Sequence, residues 1–144
     1  MSDTYDLLRF VQAQDEGGTY EAALDELRRG RKAGHWIWFV FPQLTGLGMS
    51  ANTVRYALGS LDEAAAYLTH PVLGPRLRHC CEAVLAVEDL TAEQVLGDVD
   101  AVKLRSSMTL FLRAEPDDKL FQQVLDHWYD GRPDPRTDAL LAGD

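Results

Sequence analysis

The sequence predicts an all-α fold, a single compact multihelical domain with an orthogonal arrangement of helices. Along most of the chain, apolar residues recur at intervals of three and four, which is the spacing of one face of an α-helix. Strict alternation of apolar and polar residues is missing, and β-branched residues are sparse outside 37–40 and 99–102. Because the predicted helices are short and uneven, we expect orthogonal packing rather than a regular four-helix bundle.

Two antiparallel helices are predicted at the start of the chain, on either side of the glycine pair at 17–18. Thr19 is the expected N-cap of the second helix. Ser60 and Glu63 resemble a capping box that opens a further helix, and the His-Pro pair at 70–71 ends it. The residues that share one face are Leu7, Phe10, Val11 and Gln14 in the first helix and Tyr20, Ala23, Leu24, Leu27 and Arg31 in the second.

Five further helices are predicted in the second half of the chain from the same spacing and from capping residues. Thr91 is the expected N-cap of a short helix that Gly97 ends. Asp98 or Asp100 opens the helix that follows. The predicted stretches are 77–85, 91–96, 98 or 100 to 112, 117–129 and a short segment around 140–141.

The composition is that of one globular domain over residues 1–144. Hydrophobic residues make up 46% and charged residues 26% of the chain, which is ordinary for a protein that buries one core. No stretch approaches the ~20 apolar residues of a membrane span, and the N-terminus lacks the basic and apolar parts of a signal peptide. We therefore expect a cytoplasmic protein without a membrane partner, and the composition leaves its oligomeric state open.

The charge is strongly acidic and unevenly distributed. The formal net charge is −9, and residues 115–144 carry eight acidic against three basic side chains. Broad binding to duplex nucleic acid is not expected, because that affinity depends on neutralising phosphates with cations. The basic run at 28–32 is the exception. It fits either a local anion-binding patch or a solvated helix end where cations complement the helix dipole.

The segment 34–50 is the strongest candidate for a functional region, because it joins clustered aromatic residues to a glycine turn. Residues 36–41 fit a buried strand and a buried helix equally well, since periodicity cannot decide over so few residues. Gly46, Gly48 and Ser50 then precede a helix capped by Ser50 or Asn52. Free N–H groups at such a turn suit an anion, and neighbouring aromatic rings suit a nucleotide base. A tight turn followed by a capped helix is the alternative.

Polar side chains on two predicted helices also suit a ligand. Lys103, Ser106 and Ser107 share a face at i, i+3 and i+4, so an ammonium and two hydroxyls are available to hold a phosphate or ribose. The alternative is a solvated lysine with hydroxyls bonded back to the preceding turn. Gln14 ends an apolar stripe, where a buried amide needs partners. It therefore either caps the stripe at the surface or faces a pocket.

No metal site is expected. None of the histidines has a second ligand at a strong metal-binding spacing, and the adjacent Cys80 and Cys81 are too close together for an ordinary chelate. His35 is the histidine of interest, because it borders the aromatic segment and its imidazole titrates near neutrality. It is therefore the candidate proton carrier.

Five segments together resemble the bacterial family called domain of unknown function 1810, sometimes labelled calpastatin. They are LRFVQAQ at 8–14, HWIWFVFPQ at 35–43, HPVLGPRL at 70–77, KLRSSMTLF at 103–111 and DPRT at 134–137. The resemblance implies a small multihelical domain and little about function. Inhibition of the calpastatin kind uses disordered segments, whereas this sequence is patterned to fold.

A more distant similarity connects the chain to the NADAR family of small helical proteins. The run FVQAQ at 10–14, and Trp128 close before the Asp-Gly pair at 130–131, carry this similarity. It implies a link to ADP-ribose and to cleavage of N-glycosidic bonds. That family places an acidic residue shortly before its aromatic-Gln-Ala-Gln run, and Asp6 is the corresponding candidate here.

The leading hypothesis is therefore a pocket for a nucleotide or an ADP-ribose-like group, extended to hydrolysis of a glycosidic or ADP-ribosyl linkage. No cofactor is expected. His35 or Asp6 would handle the proton, because cleavage requires protonation of a leaving group. The expected contacts are a base on Trp36 or Trp38, phosphate on Gly46, Gly48, Ser50 and Lys103, ribose on Gln43, Ser106 and Ser107, and Gln14 in the pocket wall.

Two rival hypotheses remain open from the sequence. The first is a non-enzymatic interaction module whose exposed aromatic face docks a protein partner. The second is a purely structural role, in which the aromatic run is core and the polar residues are helix caps. The two rivals differ in the exposure that they predict for residues 36–41.

Overall fold

The computed structural model describes residues 4–143 and shows helices joined by short connections. Residues 1–3 and 144, which the predicted domain includes, lie outside the described residues. Glu16–Gly18 forms a 3-10 turn, and β pairing within 4–143 is limited to one isolated bridge between Leu44 and Leu58. The all-α prediction is therefore confirmed. The helices are α1 (Leu8–Asp15), α2 (Thr19–Arg29), α3 (Ile37–Val40), α4 (Ala51–Arg55), α5 (Leu61–Thr69), α6 (Leu73–Ala86), α7 (Ala92–Leu96), α8 (Asp98–Ala114), α9 (Leu120–Trp128) and α10 (Pro135–Leu141).

The turn between α1 and α2 depends on its two glycines. Gly17 and Gly18 have φ angles of 62° and 71°, in the left-handed region that glycine enters at little cost. Gly18 is the N-cap of α2, and Thr19 belongs to the helix. The Thr19 hydroxyl instead donates to the carbonyl of Glu16 at 2.6 Å. The predicted capping role of Thr19 is therefore wrong, because the capping position has a left-handed backbone that favours glycine.

The predicted caps Thr91 and Ser60 form at the starts of α7 and α5. Thr91 Oγ1 accepts the N–H of Gln94 at 3.1 Å, and Gln94 Oε1 accepts the N–H of Thr91 at 2.8 Å, so a full capping box opens α7. Ser60 Oγ accepts the N–H of Glu63 at 3.1 Å at the start of α5. Glu63 does not return this bond, because its carboxylate accepts the N–H of Gly59 at 3.1 Å. Only half of that predicted capping box is therefore present.

Residues 36–41 contain a short helix rather than a strand. The helix α3 packs against α1 and α8, and Trp36 and Phe41 on either side of it are at most 1% exposed. Trp38 and Phe39 are half-buried. Over residues 4–143 the exposed large apolar side chains are all aliphatic: Leu8, Met49, Val54, Leu61, Leu90, Val99 and Val102. The aromatic run therefore does not form the exposed aromatic face that the docking hypothesis predicts.

The long helix α8 lies at the centre of the core. It packs against α3, α5, α7, α9 and α10, and its apolar residues Leu104, Met108 and Phe111 are fully buried. Because other elements surround it, polar residues on its remaining faces, such as Ser107 and Thr109, are fully buried as well. The side chains of α8 that reach solvent lie near its two ends.

The helix α6 packs against α2, α5 and α9 and carries both cysteines. Cys80 and Cys81 are free thiols and fully buried, and burial raises the pKa of the Cys80 thiol to about 12. In the described part of the chain, no group of three or more His, Cys, Asp or Glu residues is arranged to hold a metal ion. Among the same residues, no helix combines the length and apolarity needed to cross a bilayer.

Candidate functional site

The predicted site residues are divided between two clefts and positions outside both. We call the first the cationic cleft; it has a volume of about 310 Å³ and is lined by Gln43, Leu47, Gly48, Thr53, Val99, Val102, Lys103, Ser106 and Arg136. The second, the acidic cleft, has a volume of about 300 Å³ and is lined by Ala13, Glu16, Gly17, Thr19, Ala22, Glu26, Gly34, His35, Trp36, Phe39 and Tyr56. A third cleft of about 400 Å³, near Leu44 and Leu140, contains none of the predicted residues.

Lys103 is held at the cationic cleft by a neighbouring carboxylate and an aromatic ring. Its Nζ lies 3.6 Å from Asp100 Oδ1 and 5.2 Å from the centroid of the Trp38 ring. The other oxygen of Asp100 pairs with Lys32 Nζ at 2.7 Å. Because one carboxylate is shared between two ammonium groups, the charge of Lys103 is only partly neutralised. Trp38 therefore supports the lysine from outside the lining.

Arg136 brings a second cation to the same cleft. It lies in the first turn of α10 and is exposed, and its Nη2 donates to the carbonyl of Leu47 at 3.3 Å. Among residues 4–143 it has no carboxylate partner within ion-pair distance. Its guanidinium therefore keeps donors available for a ligand.

The segment before α10 is held onto α8 by a group of hydrogen bonds. Arg105 donates from Nε to the carbonyl of Arg132 and from Nη2 to that of Pro133, both at 2.9 Å. Thr109 Oγ1 accepts the N–H of Asp134 at 2.8 Å. Ser106 Oγ lies 3.1 Å from the carbonyl of Val102 and 3.0 Å from Asp134 Oδ2. The Ser106 hydroxyl, predicted to bind ribose, thus lines the cleft while it binds the protein itself.

The opposite wall of the cationic cleft comes from the glycine turn. Gln43 is half-buried, and its side-chain amide has no hydrogen bond to another described residue, so it is free to meet a ligand. The backbone of Gln43 is held by the isolated bridge between Leu44 and Leu58, because the N–H of Leu58 donates to the Gln43 carbonyl at 2.8 Å. A Cβ at Gly48 would lie 2.9 Å from Thr53 Cγ2, so this close approach of the turn to α4 favours glycine.

The turn residues Gly46 and Ser50 lie outside the cleft lining. Ser50 Oγ accepts the N–H of Thr53 at 3.2 Å. Of the two predicted caps, Ser50 and Asn52, it is therefore Ser50 that caps α4. The helix ends at Arg55, and Leu58 forms the isolated bridge with Leu44, which precedes the turn. This turn therefore behaves as a capped helix start, in which the N–H of Thr53 is already bonded to Ser50.

Gln14 and Ser107 are buried in the core. Gln14 is 1% exposed; its Nε2 donates to the carbonyl of Phe39 at 2.7 Å and to Tyr67 Oη at 3.2 Å, and its Oε1 accepts from Arg76 at 3.2 Å. Ser107 is 0% exposed, and its Oγ has no hydrogen-bond partner in the described residues. Neither residue lines one of the clefts.

The predicted proton carriers lie away from the cationic cleft. His35 is exposed at the acidic cleft, beside Trp36. Trp36 is 1% exposed and donates its indole N–H to Glu26 Oε1 at 2.9 Å, so it has no free face for a base. Asp6 is exposed and lines neither cleft; its carbonyl accepts from Arg9 at 2.7 Å.

A family model matches residues 4–141 and is described as Protein of unknown function (DUF1810). The chain therefore belongs to the DUF1810 family. It is similar to the conserved hypothetical protein Rv1873 from Mycobacterium tuberculosis, known from a crystal structure at 1.38 Å. The two chains are 51% identical over 97% of this chain and 99% of the other, with a TM-score of 0.93. No curated protein matches this chain significantly.

Sequence reasoning missed Arg136 and Glu26 as site residues of this DUF1810 protein. The loop at 130–137 contains two prolines and two arginines, but the nearness of Arg136 to Lys103 depends on tertiary contacts with α8. Glu26 gave a clearer signal. It follows Ala23 at i+3 on a helix face that is otherwise apolar, and a carboxylate at such a position needs buried partners.

Proposed function

We propose that the cationic cleft binds a phosphate-bearing small molecule of the nucleotide or ADP-ribose class. The observation that carries the proposal is the meeting of Lys103 and Arg136 in one cleft of a chain whose net charge is −9. No acidic residue is among the described residues that line it. In an otherwise acidic protein, a cleft with two cations favours an anionic ligand.

The chemistry of the lining supports a phosphate attached to a less polar group. Arg136 offers a planar fork of N–H donors, and Lys103 adds a point charge, a combination that suits phosphate oxygens. Leu47, Val99 and Val102 supply apolar surface for a base or sugar, and the Gln43 amide supplies a donor and an acceptor. The volume of about 310 Å³ lies at the small end of the range of about 300–1,000 Å³ for ligand pockets. A group the size of a mononucleotide fits a cleft of this volume best.

Binding, rather than hydrolysis, is the activity that this arrangement supports. A general acid or base must reach the reacting atom within about 3 Å or through one water. His35 lies at the acidic cleft and Asp6 at neither cleft. Asp100 is the carboxylate beside Lys103, and both of its oxygens are paired with lysines. The proposal therefore includes no catalytic step.

The test is calorimetric titration with AMP, ADP-ribose and NAD, with adenosine as the probe that lacks phosphate. We expect the phosphate-bearing compounds to bind and adenosine to bind much more weakly. Lys103→Ala and Arg136→Ala should each weaken binding by about tenfold or more, because each removes a charge-assisted contact. Thermal denaturation should show a ligand-dependent rise in Tm for the parent protein and a smaller rise for the two cleft variants.

Lys119→Ala is the matched control, because Lys119 is exposed, precedes α9 and lies outside all three clefts. It removes the same charge from the chain, so it should bind the probes as the parent does. Equal affinity of the parent and both cleft variants would refute the site. Absence of binding by every phosphate-bearing probe would refute the ligand class.

A further inference from the structure

We infer that the acidic cleft is a second ligand site, which binds a guanidinium group through the carboxylate of Glu26. This inference does not depend on the function proposed above, because the two clefts share no lining residue. The ligand is a cation rather than an anion, so the two sites are also distinguishable by the charge of the probe.

One oxygen of Glu26 is fully used by the protein. Glu26 is 8% exposed, and its Oε1 accepts N–H groups from Ala33 at 2.7 Å, Gly34 at 2.9 Å and the Trp36 indole at 2.9 Å. Its Oε2 accepts no hydrogen bond from any residue in 4–143. Because Oε2 is not among the buried polar atoms that lack a partner, it is accessible from the cleft. Oε2 is therefore the oxygen left to meet a ligand in the cleft.

The charge of this carboxylate is well maintained. Desolvation by burial raises its pKa, but the hydrogen bonds from Gly34, Ala33 and Trp36, together with the charge of Lys32, outweigh this, and the net pKa is lowered. Lys32 is the nearby cation, and its Nζ is bonded to the carbonyl of Gly34 at 2.5 Å and to Asp100 at 2.7 Å. A negative charge with a free oxygen therefore faces the cleft.

The rest of the lining suits a planar cation. Glu16 adds a second acidic side chain, and no lysine or arginine lines the cleft within the described part of the chain. Phe39 and Tyr56 are half-buried and contact each other with ring centroids 5.3 Å apart, which makes one wall aromatic. The Tyr56 ring already holds the guanidinium of Arg55 at 5.5 Å on one face. Aromatic walls beside a carboxylate favour a guanidinium group, because it can stack on the rings while its N–H groups donate to the carboxylate.

A purely structural role for Glu26 explains Oε1 but does not require a charge. The three N–H bonds hold the loop between α2 and α3, and the neutral amide of glutamine offers an oxygen in the same place. Glu26→Gln therefore keeps the acceptor for the loop and removes the charge that faces the cleft. This substitution separates anchoring of the loop from recognition of a cation.

The first experiment compares acetyl-arginine amide with acetyl-citrulline amide, its neutral isostere, in a titration followed by NMR. The indole N–H resonance of Trp36 reports on the site directly, because this group is bonded to Glu26. We expect the arginine probe to shift this resonance and to bind about tenfold or more tightly than the citrulline probe. Equal binding of the two probes, or no binding of the arginine probe at millimolar concentration, would overturn the inference. Agmatine in parallel separates a free guanidinium ligand from an arginine within a polypeptide.

The second experiment uses variants on either side of the same cleft. Glu26→Gln should lose the preference for arginine over citrulline, and Ala22→Leu should weaken binding because Ala22 is exposed and lines the cleft. Ala139→Leu, an exposed position of α10 outside all three clefts, is the control and should bind as the parent does. Undiminished binding in both cleft variants would refute the site even if the probes discriminate. Ala22→Leu also keeps the test valid if Glu26→Gln is poorly folded.

Discussion

Ser106 Oγ lies 3.0 Å from Asp134 Oδ2, and this contact joins α8 to the start of α10. The same carboxylate oxygen accepts the N–H of Thr137 at 3.1 Å and its hydroxyl at 2.6 Å. Asp134 is 6% exposed, so these donors depend on it rather than on solvent. The position of Arg136, two residues along the chain, is therefore linked to a side chain of α8.

We expect Asp134→Ala to lower the free energy of unfolding by about 1–3 kcal/mol, because three donors lose a buried acceptor and α10 loses its N-cap. Ser106→Ala should lower it by about 0.5–1.5 kcal/mol. Since the two residues are in contact, the double variant should show a coupling energy of about 0.5 kcal/mol or more in urea denaturation. Asp134→Ala should also weaken phosphate-ligand binding, because Arg136 is no longer held beside Lys103.

Asp126→Ala is the control for this prediction. Asp126 is exposed on α9 and accepts from Gln122 at 2.9 Å, so its loss should change the free energy of unfolding by less than about 0.5 kcal/mol. Strict additivity of the Ser106 and Asp134 variants would contradict the link between α8 and α10.

We expect Gln14 to contribute to the stability of the fold and not to ligand binding. Gln14→Leu removes both donors and the acceptor of a buried amide and leaves the Phe39 carbonyl and the Arg76 guanidinium short of a partner. We expect the free energy of unfolding to fall by about 1–3 kcal/mol in urea denaturation. The exposed Gln123 of α9 is the matched position, and Gln123→Leu should change it by less than about 0.5 kcal/mol. A loss of nucleotide binding in folded Gln14→Leu would instead place Gln14 in the pocket wall.

Most helices of this fold could be predicted from the sequence, because periodicity and caps are local properties. The Thr91 cap needs only residues within one turn, and it forms as expected, with a return bond from Gln94 that was not predicted. The Thr19 cap failed because Gly18 adopts a left-handed backbone and takes the capping position, so that Thr19 lies inside the helix. Residues 36–41 were ambiguous for a different reason, since a single turn of helix is stabilised by packing rather than by its own hydrogen bonds.

The candidate site was harder to predict from the sequence than the helices were. The spacing of Lys103, Ser106 and Ser107 predicted one shared face for a ligand, but spacing does not tell which faces of α8 neighbouring helices cover. Ser107 proved to be fully buried because α8 is surrounded by other elements. Arg136 lines the same cleft as Lys103 only because of contacts between distant segments.

The lowered pKa of Glu26 predicts how stability depends on pH. Its pKa in the folded protein lies below the ordinary value of 4.5, so the unfolded chain binds more protons as the pH falls. The stabilisation is therefore complete above pH 4.5 and is lost as the pH falls through the folded pKa. We expect the free energy of unfolding, measured in urea from about pH 6 down to about pH 3.5, to fall more steeply for the parent than for Glu26→Gln.

The control is Glu82→Gln, because Glu82 is exposed on α6 and has no cation within ion-pair distance among the described residues. Its pH dependence should follow that of the parent. If Glu26→Gln loses stability as steeply as the parent below pH 4.5, the three N–H bonds do not favour the charged form. A difference confined to the acid range would show instead that the loop before Trp36 is held by an ionised carboxylate, the state that recognition of a cation requires.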